Sequence, residues 1–148
     1  MRLVLATLAT LVSLFAAGHA AADSNVIAPP TQNADYEVGA AAIKAADWPR
    51  AVTSLNAALR ADPDNADIEN LLGYAYRKQG QLDPAFRHYE RALKLDPKHR
   101  GAHEYIGEAY LMAGRKAQAQ EHLAALERIC GRGCDEYQDL AKAIAAAK

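Results

Sequence analysis

"LLGYAYRKQGQLDPAFRHYERALKLDP", residues 71–97, reads as two amphipathic helices joined at a glycine and closed by Asp-Pro. Leu71, Leu72, Ala75 and Tyr76 recur at the spacing of a single helical stripe. Gly80 follows, a residue that tolerates the left-handed conformation in which many helices end. Asp83-Pro84 then opens a second helix, since Asp is favoured at a helix start and Pro is allowed in the first turn. Ala85, Phe86, Tyr89, Ala92 and Leu93 form its apolar face, and Asp96-Pro97 ends it, because proline disfavours helix in the residue before it.

The same plan recurs at an offset of 34 residues. Gly39, Gly73 and Gly107 fall in one column, as do Ala51, Ala85 and Ala119, and Pro63 with Pro97. Larger apolar residues keep step: Val38, Leu72 and Ile106, then Leu55, Tyr89 and Leu123. The units are 32–65, 66–99 and 100–133. The recurring glycine and alanine imply that paired antiparallel helices approach closely where side chains are short. After the third unit, "CDEYQDLAKAIAAAK" (134–148) places Tyr137, Leu140, Ala141 and Ile144 in the first-helix columns. No second helix follows it, so this segment is expected to cap the last exposed face.

The period and its columns resemble the tetratricopeptide repeat, with a small residue in the first helix, an Ala–aromatic–Ala series in the second and a closing Pro. Residues 66–99 match closely through Leu72, Gly73, Tyr76, Ala85, Tyr89, Ala92 and Pro97. The first unit matches through Val38, Gly39, Ala51, Ala58 and Pro63, and the third through Ile106, Gly107, Tyr110 and Ala119. Departures fall at Ala46, where a turn glycine is usual, at Leu126 in place of Ala and at Gly131 in place of Pro. The resemblance implies an all-α fold: a right-handed superhelical array of three helix–turn–helix repeats plus a C-terminal capping helix.

It also implies a concave face lined by first helices. Carried over by alignment, that face takes Asn33, Tyr36, Ala40, Ile43 and Lys44 from the first unit. The second supplies Asp67, Asn70, Tyr74, Arg77 and Lys78, and the third Gly101, Glu104, Glu108, Leu111 and Met112. Tyr36, Ile43, Lys44, Asn70, Tyr74, Arg77, Lys78, Glu104, Glu108 and Leu111 are therefore the expected binding residues for a protein or peptide partner. Some members of the family clamp the acidic tail of a chaperone with basic residues and Asn from three successive repeats. Here the third repeat offers Glu104 and Glu108, which argues against that ligand and for a segment with separated acidic and basic ends. Loss of Arg77 or Asn70 is expected to abolish capture and leave helicity intact.

The chain of 148 residues is 51% hydrophobic with a net charge of −1, enough for one small helical domain and without the basic stripe that nucleic acid requires. Its first 22 residues follow the plan of a secretory signal: Arg2, an apolar run from Leu3 to Ala17, then small residues that suit a peptidase. The apolar run is short for a bilayer span of ~20 residues. The competing reading is an uncleaved anchor. Cleavage implies an exported, periplasmic protein with no stable membrane insertion, a monomer or a weak homo-oligomer. Residues 23–31 read as a flexible leader.

Cys130 and Cys134 flank Gly131-Arg132-Gly133. In an oxidising compartment they can form a structural disulfide; a reactive thiol pair and a metal site are the other readings. The spacing is not Cys-x-x-Cys and no second ligand pair is near in sequence, so no metal and no cofactor are expected. His99 precedes its helix and need not share a face with His103. No nucleophile elbow, phosphate loop or zinc-protease motif is present, so no catalysis is expected. The rival functional readings are a thiol-active envelope protein and a self-associating structural repeat.

Overall fold

A computed structural model describes residues 33–147, which form seven α-helices and no strand. The expected signal segment 1–22 and leader 23–31 lie outside the described residues. The helices are α1 (Ala34–Lys44), α2 (Trp48–Ala61), α3 (Ala66–Lys78), α4 (Leu82–Leu95), α5 (Arg100–Met112), α6 (Lys116–Cys130) and α7 (Asp135–Ala146). Side chains of Asn33, Asp47, Asn65 and His99 accept the N–H of the third helical residue in α1, α2, α3 and α5, satisfying one orphan donor each. His99 does so through Nδ1, at 3.1 Å from the Ala102 nitrogen, which leaves Nε2 to donate to Asp67 at 3.0 Å. Asp83-Pro84 sits in the first turn of α4, one residue inside the start at Leu82.

Three of the links are the same device. Gly80 has φ 75° and its N–H bonds to the Arg77 carbonyl, while the Gln81 N–H reaches the Tyr76 carbonyl. Gly114 repeats this with Leu111 and Tyr110 at φ 71°. These paired bonds close a helix C-terminus around a left-handed residue. Ala46 keeps the geometry without being glycine: φ is 56°, with bonds from Ala46 to Ile43 and from Asp47 to Ala42. The missing glycine therefore leaves the turn unchanged and adds a steric strain of roughly 1–2 kcal/mol.

Helices pack in order, α1 on α2, α2 on α3 and onward, and α5 touches both α6 and α7. First helices also meet each other, α1 with α3 and α3 with α5, whereas second helices make no comparable contacts among the described residues. Contact on one side alone bends the stack towards its first helices, and that side becomes the hollow. The close approaches are steric. A Cβ on Gly39 would lie 2.6 Å from Leu55 Cγ, and one on Gly73 2.6 Å from the Tyr89 ring.

The third unit differs from the expected column. Gly107 faces Leu140 of α7, whose methyl carbons would be 2.7 Å from an added Cβ, instead of Leu123. Leu123 is only half-buried, while Leu126, the residue that replaces the usual Ala, is fully buried beside Leu140. The larger side chain at 126 fills the interior, and the capping helix supplies the residue that covers the glycine. Tyr89, Leu55, Leu72 and Leu126 are among the fully buried large side chains, each contributing about 1.5–3 kcal/mol of apolar transfer free energy.

The α5–α6 seam holds a histidine pair. His103 Nε2 donates to the Pro97 carbonyl at 3.1 Å, so its bare Nδ1 accepts from His122 Nδ1 at 2.9 Å. Burial lowers the pKa of both rings, that of His122 to about 4 with the His103 charge opposing it further. Both are neutral near pH 7. They are packing residues, with Tyr110 stacked on His122 at 5.6 Å.

Candidate peptide-binding groove

The groove is built by α3 and α5. Along α3, Asn70, Tyr74, Arg77 and Lys78 share a stripe because they are three or four residues apart. Along α5, Glu104, Glu108, Leu111 and Met112 do the same. A cavity of about 470 Å³ lies between these stripes. Tyr74, Arg77, Lys78, Glu104, Glu108 and Leu111, all expected from the sequence, line it together with Met112. Tyr105 also lines it and was not among the expected residues. Met112 is 54% exposed at the rim, an apolar side chain with little to cover it.

The other expected residues lie elsewhere. Tyr36 borders a separate cleft of about 840 Å³ with Glu37, Asp62, Asp67 and Ile68, at the array's first end. Ile43 packs on the first core cluster. Lys44 is exposed in the last turn of α1. Asn70 is 6% exposed, and its Oδ1 has no hydrogen-bond partner. Its Nδ2 would be 3.3 Å from a Cβ on Gly101, so it lies against the first turn of α5, one turn before Glu104.

Arg77 is not the free cation that its position implied. It is buried, its Nη1 is 2.6 Å from Glu108 Oε2, and its Nε donates to the Tyr89 hydroxyl at 3.3 Å. Its guanidinium lies 5.2 Å and 5.6 Å from the ring centres of Tyr74 and Tyr105. Arg77 thus ties α3 to α4 and α5, a structural role beside the expected binding role. Tyr74 and Tyr105 pack with their rings tilted and centres 5.0 Å apart, and Trp48 meets Tyr74 edge-on at 6.0 Å, which makes an aromatic ladder across three repeats. Trp48 opens a second helix, outside the columns carried over from the family. Lys78 caps the ladder, 5.8 Å from Trp48 and 5.9 Å from Tyr74.

Glu104 is the anomalous carboxyl. It is 9% exposed and makes no ion pair among the described residues. Burial, then the charges of Glu108, Asp139 and Glu136, push its pKa up to about 7, with Arg77 opposing. Tyr105 beside it is pushed up to about 12, by burial and then by the Glu104 charge. The groove therefore holds one paired cation, Arg77, and one carboxyl poised between charge states, Glu104.

At the other end, Cys130 closes α6 and Cys134 precedes α7, with Cα atoms 5.9 Å apart and the sulfur atoms at bonding distance. Glu136 comes within 4.8 Å of both sulfurs, but its carboxylate already faces Arg100 at 3.5 Å, and three groups fall short of a closed tetrahedral metal site.

Comparison with known proteins gives this architecture a family. The tetratricopeptide repeat model matches residues 66–99, and a second model of the same repeat matches 47–80. The chain is a tetratricopeptide-repeat protein. Human protein O-mannosyl-transferase TMTC3 is 28% identical over 75 residues, covering 51% of this chain and 8% of that protein. The chain thus spans under a tenth of the length of that curated relative. The first tetratricopeptide domain of Spaghetti (RPAP3) bound to the HSP90 peptide SRMEEVD superposes with a TM-score of 0.69 at 18% identity, covering 76% of this chain and 92% of that one. The Yersinia enterocolitica type III secretion chaperone SycD, in complex with a peptide of the translocator YopD, gives 0.69 at 20% identity, covering 83% and 93%. The tetratricopeptide array here is the right-handed superhelix of those domains, with α7 as its cap.

Proposed function

We propose that this tetratricopeptide array is a non-catalytic adaptor of the cell envelope that captures a peptide segment of another protein in the α3–α5 groove. The observation that carries the reading is the cavity between α3 and α5, walled by Tyr74, Tyr105 and Leu111 and holding the unpaired Glu104 carboxyl, with the unpartnered Asn70 Oδ1 buried one helical turn before Tyr74. A buried carbonyl left without a donor costs about 1–3 kcal/mol. A ligand N–H seated deep enough to displace the cover of Asn70 Oδ1 would remove that penalty, and the tyrosines offer apolar bodies with polar tips. Peptide capture by the Spaghetti and SycD domains supports the same use of this fold. The signal-like N-terminus supports export, and a periplasmic address in turn supports a Cys130–Cys134 disulfide that restrains the link into the cap.

The acidic SRMEEVD tail is a poor fit, because its carboxylates would approach Glu104 and Glu108, while the cation best placed for them is already taken by Glu108. Asn70→Ala tests the reading without the structural cost of removing Arg77. Peptides selected from a random displayed library on the wild-type protein are expected to bind the variant at least about tenfold more weakly, the worth of one hydrogen bond to a buried acceptor. Fluorescence anisotropy reads the change, and circular dichroism is expected to show the same melting behaviour. Equal affinity for both proteins contradicts capture at this site.

A further inference from the structure

The chemistry of the occupant follows from what the groove leaves unpaired, and rests on the reading above that the groove binds peptide. The Glu104 carboxyl lines the cavity without an ion-pair partner among the described residues, and Asn70, whose Oδ1 is unpartnered, is buried about a turn away along the seam of α3 and α5. The nearest cation does not serve them: Arg77 is bonded to Glu108 and to Tyr89. Lys78 is exposed and lies over the aromatic ladder. Every charged group that acts on Glu104 from the packed elements is acidic except Arg77: Glu108 on its own helix, and Asp139 and Glu136 on α7. Of these, Glu136 is shared with Arg100. Glu104 is therefore the cavity carboxyl left without a cation, within walls of aromatic and aliphatic carbon.

We propose that the groove takes a peptide segment bearing a lysine or arginine, whose cationic head is received at Glu104 while its aliphatic stem lies against Tyr105 and Leu111. A guanidinium or ammonium presents only donors, so it complements the unpaired Glu104 carboxyl where a carboxylate or amide oxygen would not. Charge complementarity of this kind sets partner choice more than raw affinity. Met112, exposed at the rim, extends the apolar wall for a flanking hydrophobic residue.

A proton is linked to the event. The free groove holds Glu104 protonated below about pH 7, because burial and its acidic neighbours favour the neutral form. An arriving cation favours the carboxylate, so one proton leaves as the ion pair forms. Binding of a cationic peptide is then about tenfold weaker at pH ~6 than at pH ~8. Glu104→Gln keeps the shape of the side chain, cannot ionise, and abolishes that dependence.

The test is selection from a phage-displayed library of random peptides on the folded wild-type protein and on Glu104→Gln, followed by anisotropy titration of the recovered sequences at both pH values. The expected result is a lysine or arginine enriched at one constant position on the wild type only, with affinity that rises with pH. Peptides that bind, depend on Asn70 and carry no enriched cation overturn this inference and leave peptide capture standing. Recovery of nothing above background overturns both. Matching melting curves for the two proteins confirm that Glu104→Gln is folded.

Discussion

Arg77→Ala is expected to lower stability by about 2–4 kcal/mol, the largest effect of any single change in the groove. The guanidinium is 9% exposed and Glu108 27%, so removing the cation strands a half-buried carboxylate beside Glu104. It also removes the donor to Tyr89, whose fully buried hydroxyl then lacks that partner. Chemical denaturation reads the loss. The partner variant separates the causes: Arg77→Ala with Glu108→Ala is expected to cost less than the sum of the two single changes, because the stranded charge is gone. Strict additivity would show that the pair does not form in solution.

The second large effect is expected at the cap. Leu140 is fully buried and covers Gly107, so Leu140→Ala opens a cavity against α5 and costs about 3 kcal/mol, within the usual range for a buried leucine. In a repeat array each unit depends mainly on its neighbours. The damage is therefore expected to be local: amide exchange in α5, α6 and α7 quickens most, and α1 and α2 change least. Uniform loss of protection would mean that the chain unfolds as one block and that α7 is not a terminal cap.

The residues that were legible in the sequence are those whose role is set by local spacing. The helical stripes, the glycines at close approach and the turn at Gly80 all follow from backbone geometry and recurrence, and the helices lie where those signals place them. Ala46 shows the limit of that reasoning. The paired backbone bonds from Ala46 to Ile43 and from Asp47 to Ala42 close the left-handed turn even with a methyl group in place. Leu140 was legible as a capping residue but not as the partner of Gly107, because that choice turns on the bulk of Leu126 next to it.

The groove was legible as a surface and less so as an electrostatic object. Tyr74, Arg77, Lys78, Glu104, Glu108 and Leu111 do gather around one cavity. Spacing along a helix says which way a side chain faces, but not which partner it finds on the next one. The Arg77–Glu108 pair joins residues in different repeats, and Glu104 makes no ion pair among the described residues. Trp48 and Tyr105 entered through contacts that no column of the repeat records.

The central claim is that a peptide occupies the hollow between α3 and α5. Amide chemical-shift mapping of the labelled protein, titrated with a library-selected peptide, tests it most directly. Shifts concentrated at Asn70–Lys78 and Gly101–Met112 are the predicted result. Shifts confined to α2, α4 and α6, on the opposite side of the stack, would contradict it.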